Sequence, residues 1–188
     1  VEWRWIPDSA TQLNALLNGE IDWLEIVDYD HLGVLEKDKN VRLIVNPASN
    51  QFTFRMNWTQ PPFNNVKIRR AAATALSQEE FMQANVGDKR YYKPCRALFT
   101  CDTALATTVG LDDILNGDAA KARQMLQEAG YDGTVVVMPQ PTDLGVIKQL
   151  APVAKSQLEK AGFKKIEVSV IVKIGCFHTA LCCAVGRQ

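Results

Sequence analysis

Apolar and polar positions alternate along the chain with two distinct periods. Leu13, Leu16 and Leu17 recur at helical spacing behind Pro7-Asp8-Ser9. Asp8 or Ser9 serves as N-cap, Ser9 and Gln12 have capping-box spacing, and Gly19 supplies the stop. Ile21 to Ile26 then alternates apolar and charged side chains, which predicts a half-buried strand. A short helix is predicted over Tyr29 to Lys37, with Leu32 and Leu35 inward, and a strand over Val41 to Val45. Pro47-Ala48-Ser49-Asn50 breaks the pattern. Residues 51–57 alternate again, with Phe52, Phe54 and Met56 on one face and Thr53, Arg55 and Asn57 on the other. The first stretch therefore reads as a β-α-β unit followed by one further strand.

Pro61-Pro62 cannot sit inside regular structure, so residues 59–64 form a turn or hinge. Val66 to Leu76 is Ala-rich and helical, and Ser77 with Glu80 opens a further helix as a capping box. Residues 87–117 are irregular and hold Tyr91, Tyr92, Pro94, Cys95 and Cys101. Asp118 caps a helix over Ala119 to Ala129, which Gly130 ends. Thr134 to Met138 is a β-branched run, as expected of a strand covered on both faces. Residues 143–161 read as a helix kinked or restarted by Pro152, at a cost of ~3 kcal/mol in a helix interior. A strand over Ile166 to Val172 follows, and strand-helix-strand at this spacing predicts a parallel pair with a right-handed crossover. The class is α/β.

Composition adds limits. The 188 residues hold 47% apolar and 22% charged side chains, enough to bury a core without staples. No apolar run reaches the ~20 residues a membrane span needs. No basic-then-apolar leader opens the chain, and the start at Val1 reads as processing or trimming. The net charge is zero, from 21 basic and 21 acidic residues, which argues against nucleic acid as a partner. That zero hides an asymmetry: residues 1–40 carry three basic and nine acidic side chains, and residues 61–100 carry seven and three. Two surfaces with different jobs would have this pattern.

Few residues suit catalysis. There are only two histidines, His31 and His178, and no phosphate loop, nucleophile elbow or zinc-helix motif. His31 lies on an amphipathic helix and reads as structural. Cys176, His178, Cys182 and Cys183 form the one cluster of soft ligands, but without the C-x₂-C spacing of a structural zinc site, so no metal is assigned. No cofactor is implied either. Cys95 and Cys101 can close a short disulfide loop in an oxidising compartment or remain two thiols. Asn57-Trp58-Thr59 fits a glycosylation sequon that is common by chance. Trp58, Tyr91 and Tyr92 are rigid amphipathic side chains near the hinge, of the kind that lines small-ligand pockets.

Three segments together resemble a known family. Pro7-Asp8-Ser9 through Leu16, followed by Gly19-Glu20-Ile21-Asp22, is similar to the "P-D…AL…G-E-I-D" signature of extracellular solute-binding proteins of the dipeptide, oligopeptide and nickel type. Phe54-Arg55-Met56-Asn57 with Pro61-Pro62-Phe63-Asn64-Asn65-Val66 and Ile68-Arg69-Arg70-Ala71 resembles their "N…PPFDDVRVRQAL" segment. Ala120-Lys121-Ala122 and Leu126-Gln127-Glu128-Ala129-Gly130-Tyr131-Asp132-Gly133 resembles their "AK.LL.EAGY.G" segment. The match covers about residues 5–163 and fails after about Lys165.

The resemblance implies part of a two-lobed venus-flytrap protein, the type II periplasmic-binding-protein fold, with mixed sheets and flanking helices. Its expected location is periplasmic or extracellular. Its expected partners are a peptide or other small solute and the permease subunits of an ABC importer. Family members are much longer, so the chain resembles an internal fragment. Residues 1–58 would end the first lobe, residues 59–165 would begin the second, and residues 166–188 are an atypical tail. Residues 46–62 would act as the hinge. The ligand candidates, chosen by hinge position and chemistry, are Arg55, Asn57, Trp58, Tyr91 and Tyr92. Two alternatives stand beside this reading: an α/β enzyme with Cys95 or Cys101 as nucleophile, and a non-transporting structural or regulatory domain of the same fold. Unpaired strand edges would also favour self-association with a second copy.

Overall fold

The structure, a computed structural model, describes residues 1–46, 52–141 and 145–171. Among the described residues six α-helices and two strands follow one another: α1 (Ser9–Leu17), α2 (Leu32–Leu35), α3 (Val66–Ala75), α4 (Gln78–Asn85), α5 (Ala119–Glu128), β1 (Val136–Pro141), α6 (Leu150–Lys160) and β2 (Ile166–Ile171). Short 3₁₀ turns lie at Tyr29–His31, Lys89–Tyr91 and Gly145–Ile147.

The core gathers on α3, α5, α6 and the two strands. Helix α3 packs along α5 through small residues: Ala71, Ala72 and Ala122 are fully buried, which lets the backbones approach closely. Phe63, just past a cis Pro61–Pro62 bond, meets Phe163 at 6.3 Å between ring centroids. Phe163 in turn meets Tyr131 at 5.1 Å. The two fully buried phenylalanines bring together residues a hundred positions apart, and each contributes about 1.5–3 kcal/mol of transfer free energy.

Local chemistry explains the helix ends. Asn65 caps α3 by accepting from the Lys67 N–H at 2.9 Å, and its Nδ2 reaches the Ala129 carbonyl at 3.4 Å. The irregular segment after residue 110 closes the other end of α3. Leu115 N–H donates to Ala73 O at 2.8 Å, Gly117 N–H to Leu76 O at 3.0 Å and Asp118 N–H to Thr74 O at 3.1 Å. Carbonyls that a helix end leaves orphaned are thereby satisfied. Gly117 is required there: its φ is +74°, and a Cβ would lie 2.8 Å from Ser77 Cβ. Asp118 then caps α5 through the Lys121 N–H at 2.9 Å.

One capping alternative is resolved and one capping box is completed differently from expectation. Asp8, rather than Ser9, caps α1: its Oδ1 accepts from Thr11 N–H and Thr11 Oγ1, both at 2.7 Å. Ser77 caps α4 by accepting from the Glu80 N–H at 3.4 Å, but Glu80 does not reach back. Gln157 of α6 completes the exchange from outside, accepting from Ser77 N–H at 2.9 Å and donating to Glu80 Oε2 at 3.0 Å.

Strands β1 and β2 pair in parallel, with Val136 opposite Ile166 and Pro141 opposite Ile171. Val136 N–H donates to Lys165 O at 2.9 Å, so the even-numbered N–H groups of β1 face β2. Pro139 and Pro141 fall on the opposite edge, where a missing N–H removes nothing from the ladder. The strand therefore starts two residues later than predicted and tolerates two prolines.

Pro152 neither kinks nor restarts a helix. It is the third residue of α6, where the N–H has no helical acceptor, and the first helical bond is Val153 N–H to Gln149 O at 3.3 Å. The predicted helix 143–161 is really a 3₁₀ turn followed by α6.

The strands expected at 21–26, 41–45 and 51–57 are not formed: no ladder holds them among the described residues. Period-two alternation reports a buried face, whereas a strand also needs a partner edge. Phe54 and Met56 do pack against the core while Thr53 and Arg55 stay exposed, so the face was legible without the pairing. Residues 172–188, including Cys176, His178, Cys182 and Cys183, lie outside the described residues.

Candidate functional site

A cavity of about 600 Å³ opens beside the extended segment Phe52–Met56. Phe52, Phe54 and Met56 form one wall, α4 gives Phe81 and Met82, and Ile114 and Leu115 close the back. Alternation of the first segment and the helical period of α4 turn these side chains to the same side. The rim is the loop after α4, with Tyr91, Tyr92 and the Cys95–Cys101 region. Cys95 and Cys101 are joined as a disulfide, with Cα atoms 5.8 Å apart.

Polar groups complete the lining. Gln78 Nε2 donates to Cys95 O at 2.6 Å, which ties α4 to the disulfide loop. Gln78 Oε1 is buried and has no hydrogen-bond partner among the described residues. An occupant with an N–H or O–H would satisfy it. Tyr92 OH donates to Glu79 Oε1 at 3.0 Å, and burial together with that bond raises the phenol above its ordinary value. Lys93 pairs with Asp102 at 3.0 Å on the rim, and Arg96 donates to Asn116 Oδ1.

A seam runs along one side of the cavity, where the acidic first stretch meets the remainder. Glu36 Oε1 takes a hydrogen bond from Tyr91 OH and an ion pair from Arg90 at 2.9 Å. The Glu36 bond raises the Tyr91 phenol. Across the seam, Lys148 pairs with Asp30 and lies 3.9 Å from Asp28, whose side chain is only 8% exposed. The hydrogen bond to Asp30 holds the Lys148 ammonium above the ordinary lysine value. Segment 145–148 is fixed from behind, because Asn85 Nδ2 donates to Val146 O at 2.8 Å and Gln140 Nε2 to Lys148 O at 2.5 Å.

Of the residues singled out from the sequence, Tyr91 and Tyr92 line the cavity and the Cys95–Cys101 pair shapes its rim. Arg55, Asn57 and Trp58 do not line it. Arg55 is exposed, Trp58 is 70% exposed, and Asn57 Oδ1 accepts from Thr59 N–H at 3.1 Å and Thr59 Oγ1 at 2.7 Å, forming the turn before the prolines. Sequence reading missed Gln78 and the apolar wall. A signal existed in the shared face of Phe52, Phe54 and Met56. The Lys148 contacts had none, since they span more than a hundred residues.

Among the described residues no group of three or more His, Cys, Asp or Glu is placed to hold a metal ion. No helix among them is long and apolar enough to cross a membrane.

The chain belongs to the bacterial extracellular solute-binding proteins, family 5: the family described as "Bacterial extracellular solute-binding proteins, family 5 Middle" matches residues 1–173. Among its relatives is a probable peptide ABC transporter periplasmic-binding protein, y4tO, of Sinorhizobium fredii, 35% identical over 159 residues, or 84% of this chain and 30% of that protein. The glutathione-binding protein GsiB of Salmonella choleraesuis is 28% identical over 165 residues, covering 87% of this chain and 31% of its own length.

Solved structures show the same fold. The ABC transporter substrate-binding protein CtaP of Listeria monocytogenes matches with a TM-score of 0.70 at 23% identity, over 87% of this chain and 33% of that one. The periplasmic binding protein DppA of Helicobacter pylori, solved with the peptide STSA, matches with a TM-score of 0.69 at 21% identity, over 90% of this chain and 32% of that one. The architecture is thus part of a type II periplasmic binding protein. The chain spans about a third of the length of the relatives it matches.

Proposed function

We propose that this chain is the middle part of the substrate-binding component of an ABC importer, working in the periplasm or outside the cell. It takes a peptide or similar small solute and presents it to permease subunits in the membrane. Residues 1–58 end the first lobe, residues 59–165 begin the second, and residues 46–62 carry the hinge between them. The observation that carries this reading is family membership over residues 1–173. The cavity supports it, since about 600 Å³ lies within the ordinary range for small-ligand sites and its lining combines an apolar wall with polar and charged groups.

The role in this reading is non-enzymatic, and the disulfide supports it against a cysteine nucleophile. Cys95 and Cys101 are bonded to each other, so neither offers the thiolate that a cysteine nucleophile needs. Tyr91 and Tyr92 remain the ligand candidates with a place on the cavity; Arg55, Asn57 and Trp58 would act only at the hinge. Association with a second copy through the outer edge of β2 is compatible with this role and not required by it.

The test is uptake. Inactivating the gene should reduce import of short peptides that the parent cells take up, and restoring the gene should return it. Unchanged uptake of every di- to tetrapeptide imported by the parent would refute the proposal.

A further inference from the structure

The acidic first stretch, residues 1–40, meets the rest of the chain through charge at two points. Its buried hydrophobic residues are Ala15 and Leu35, and neither belongs to the core cluster. At one point Glu36 holds Arg90 and Tyr91. At the other, Asp28 and Asp30 face Lys148. Both points border the cavity, which Tyr29, Arg90 and Tyr91 help line.

The second point is built closely. Gly145 packs on Asp28 so tightly that a Cβ there would overlap the Asp28 carboxylate. Asp28 Oδ1 also accepts from the Asp30 N–H at 3.2 Å. An exposed ion pair on its own contributes little. A carboxylate that is 8% exposed differs, because losing its cation leaves a buried charge that only hydration can relieve.

We propose that Asp28 and Asp30 with Lys148, and Glu36 with Arg90 and Tyr91, form a two-point electrostatic latch that positions the first lobe against the second at the cavity mouth. Charge and ionic strength, acting beside the apolar contacts that Phe54 and Met56 make with the core, then bias the balance between closed and open forms before any solute binds. This rests on the receptor reading above, because that reading makes the seam a boundary between lobes. Lys148 is a positioning residue here: it acts on the cavity through Asp28 and Asp30.

The test is small-angle X-ray scattering of the intact, solute-free protein. Salt is raised from about 10 mM to about 1 M, which shortens the Debye length from ~30 to ~3 Å. The radius of gyration should increase with salt in the wild type. Lys148→Gln should already be expanded at low salt, because it strands the buried Asp28 charge. Adding Asp28→Asn to Lys148→Gln removes the stranded charge but not the loss of attraction, so it should recover part of the compactness lost in Lys148→Gln, stay more expanded than the wild type at low salt, and show a weaker salt response. Far-UV circular dichroism identifies any variant that merely unfolds, and recovery in the double variant distinguishes latch loss from misfolding. A radius that is independent of salt in the wild type and unchanged in Lys148→Gln would overturn the latch. Such a result in a protein that still imports peptides would leave the receptor reading intact. A salt-dependent radius in a protein that imports none would do the reverse.

Discussion

Replacing Gln157 should cost more stability than its two polar atoms suggest. The residue is 2% exposed on α6, and its Oε1 takes the Ser77 N–H at 2.9 Å while its Nε2 donates to Glu80 Oε2 at 3.0 Å. Gln157→Leu keeps the volume and leaves the Ser77 donor unpaired, at a cost of about 1–3 kcal/mol. Gln157→Ala also loses one buried methylene, at about 0.8 kcal/mol, so its total should reach about 2–4 kcal/mol. Gln157→Glu preserves an acceptor for Ser77 but sets a second carboxylate against Glu80. Its deficit should shrink as pH falls toward about 4, where carboxylates begin to take protons. Urea unfolding of the intact protein, followed by circular dichroism, measures all three. The expected order of stability is wild type, then Leu, then Ala. A Gln157→Leu protein within about 0.5 kcal/mol of wild type would refute the reasoning, since a change that small is what an uninvolved surface site gives. The consequence reaches the cavity, because the α4 start that Gln157 secures also carries Gln78, Phe81 and Met82.

Two further outcomes follow from the same geometry. Reducing Cys95–Cys101 opens a loop of six-residue separation and should remove about 2 kcal/mol by chain entropy, read as a lower unfolding midpoint with reductant; a midpoint that reductant leaves unmoved would contradict this. Acid should destabilise the fold, because hydrogen bonds from Thr11, Arg90, Lys121 and Thr134 hold Asp8, Asp88, Asp113 and Asp132 below the ordinary aspartate value. The unfolded chain then binds more protons than the folded one, so their contribution is complete above about pH 4 and is lost as pH falls through the lowered folded values. Unfolding midpoints measured from about pH 6 down to about pH 3 should fall; a rise would contradict the assignment.

How much of this was legible in sequence depends on how local its causes are. Asp118, Ser77 and Gly130 act within one helical turn, so α3, α4 and α5 were readable to within a residue or two. Pro152 was misjudged because its effect depends on where the helix starts, and that start is set by the turn at Gly145–Ile147. The alternation of residues 52–56 reports a half-buried face, yet it does not report that no strand pairs with it among the described residues. Tyr91 and Tyr92 stand out as aromatics in a long loop, and that loop borders the cavity. Arg55, Asn57 and Trp58 stand out by hinge position and chemistry, and position along the chain does not say which side chains line the cavity. Lys148, Asp28 and Gln157 were invisible because each is defined by a residue eighty or more positions away, or nearly so.

The account's central claim is binding without chemistry. The most direct measurement is to dialyse the intact protein against a mixture of di- to tetrapeptides, identify any retained peptide by mass spectrometry, and titrate it by calorimetry. The account predicts one peptide held per protein molecule and recovered unaltered. A protein that retains no peptide, or that releases it cleaved, would contradict the account.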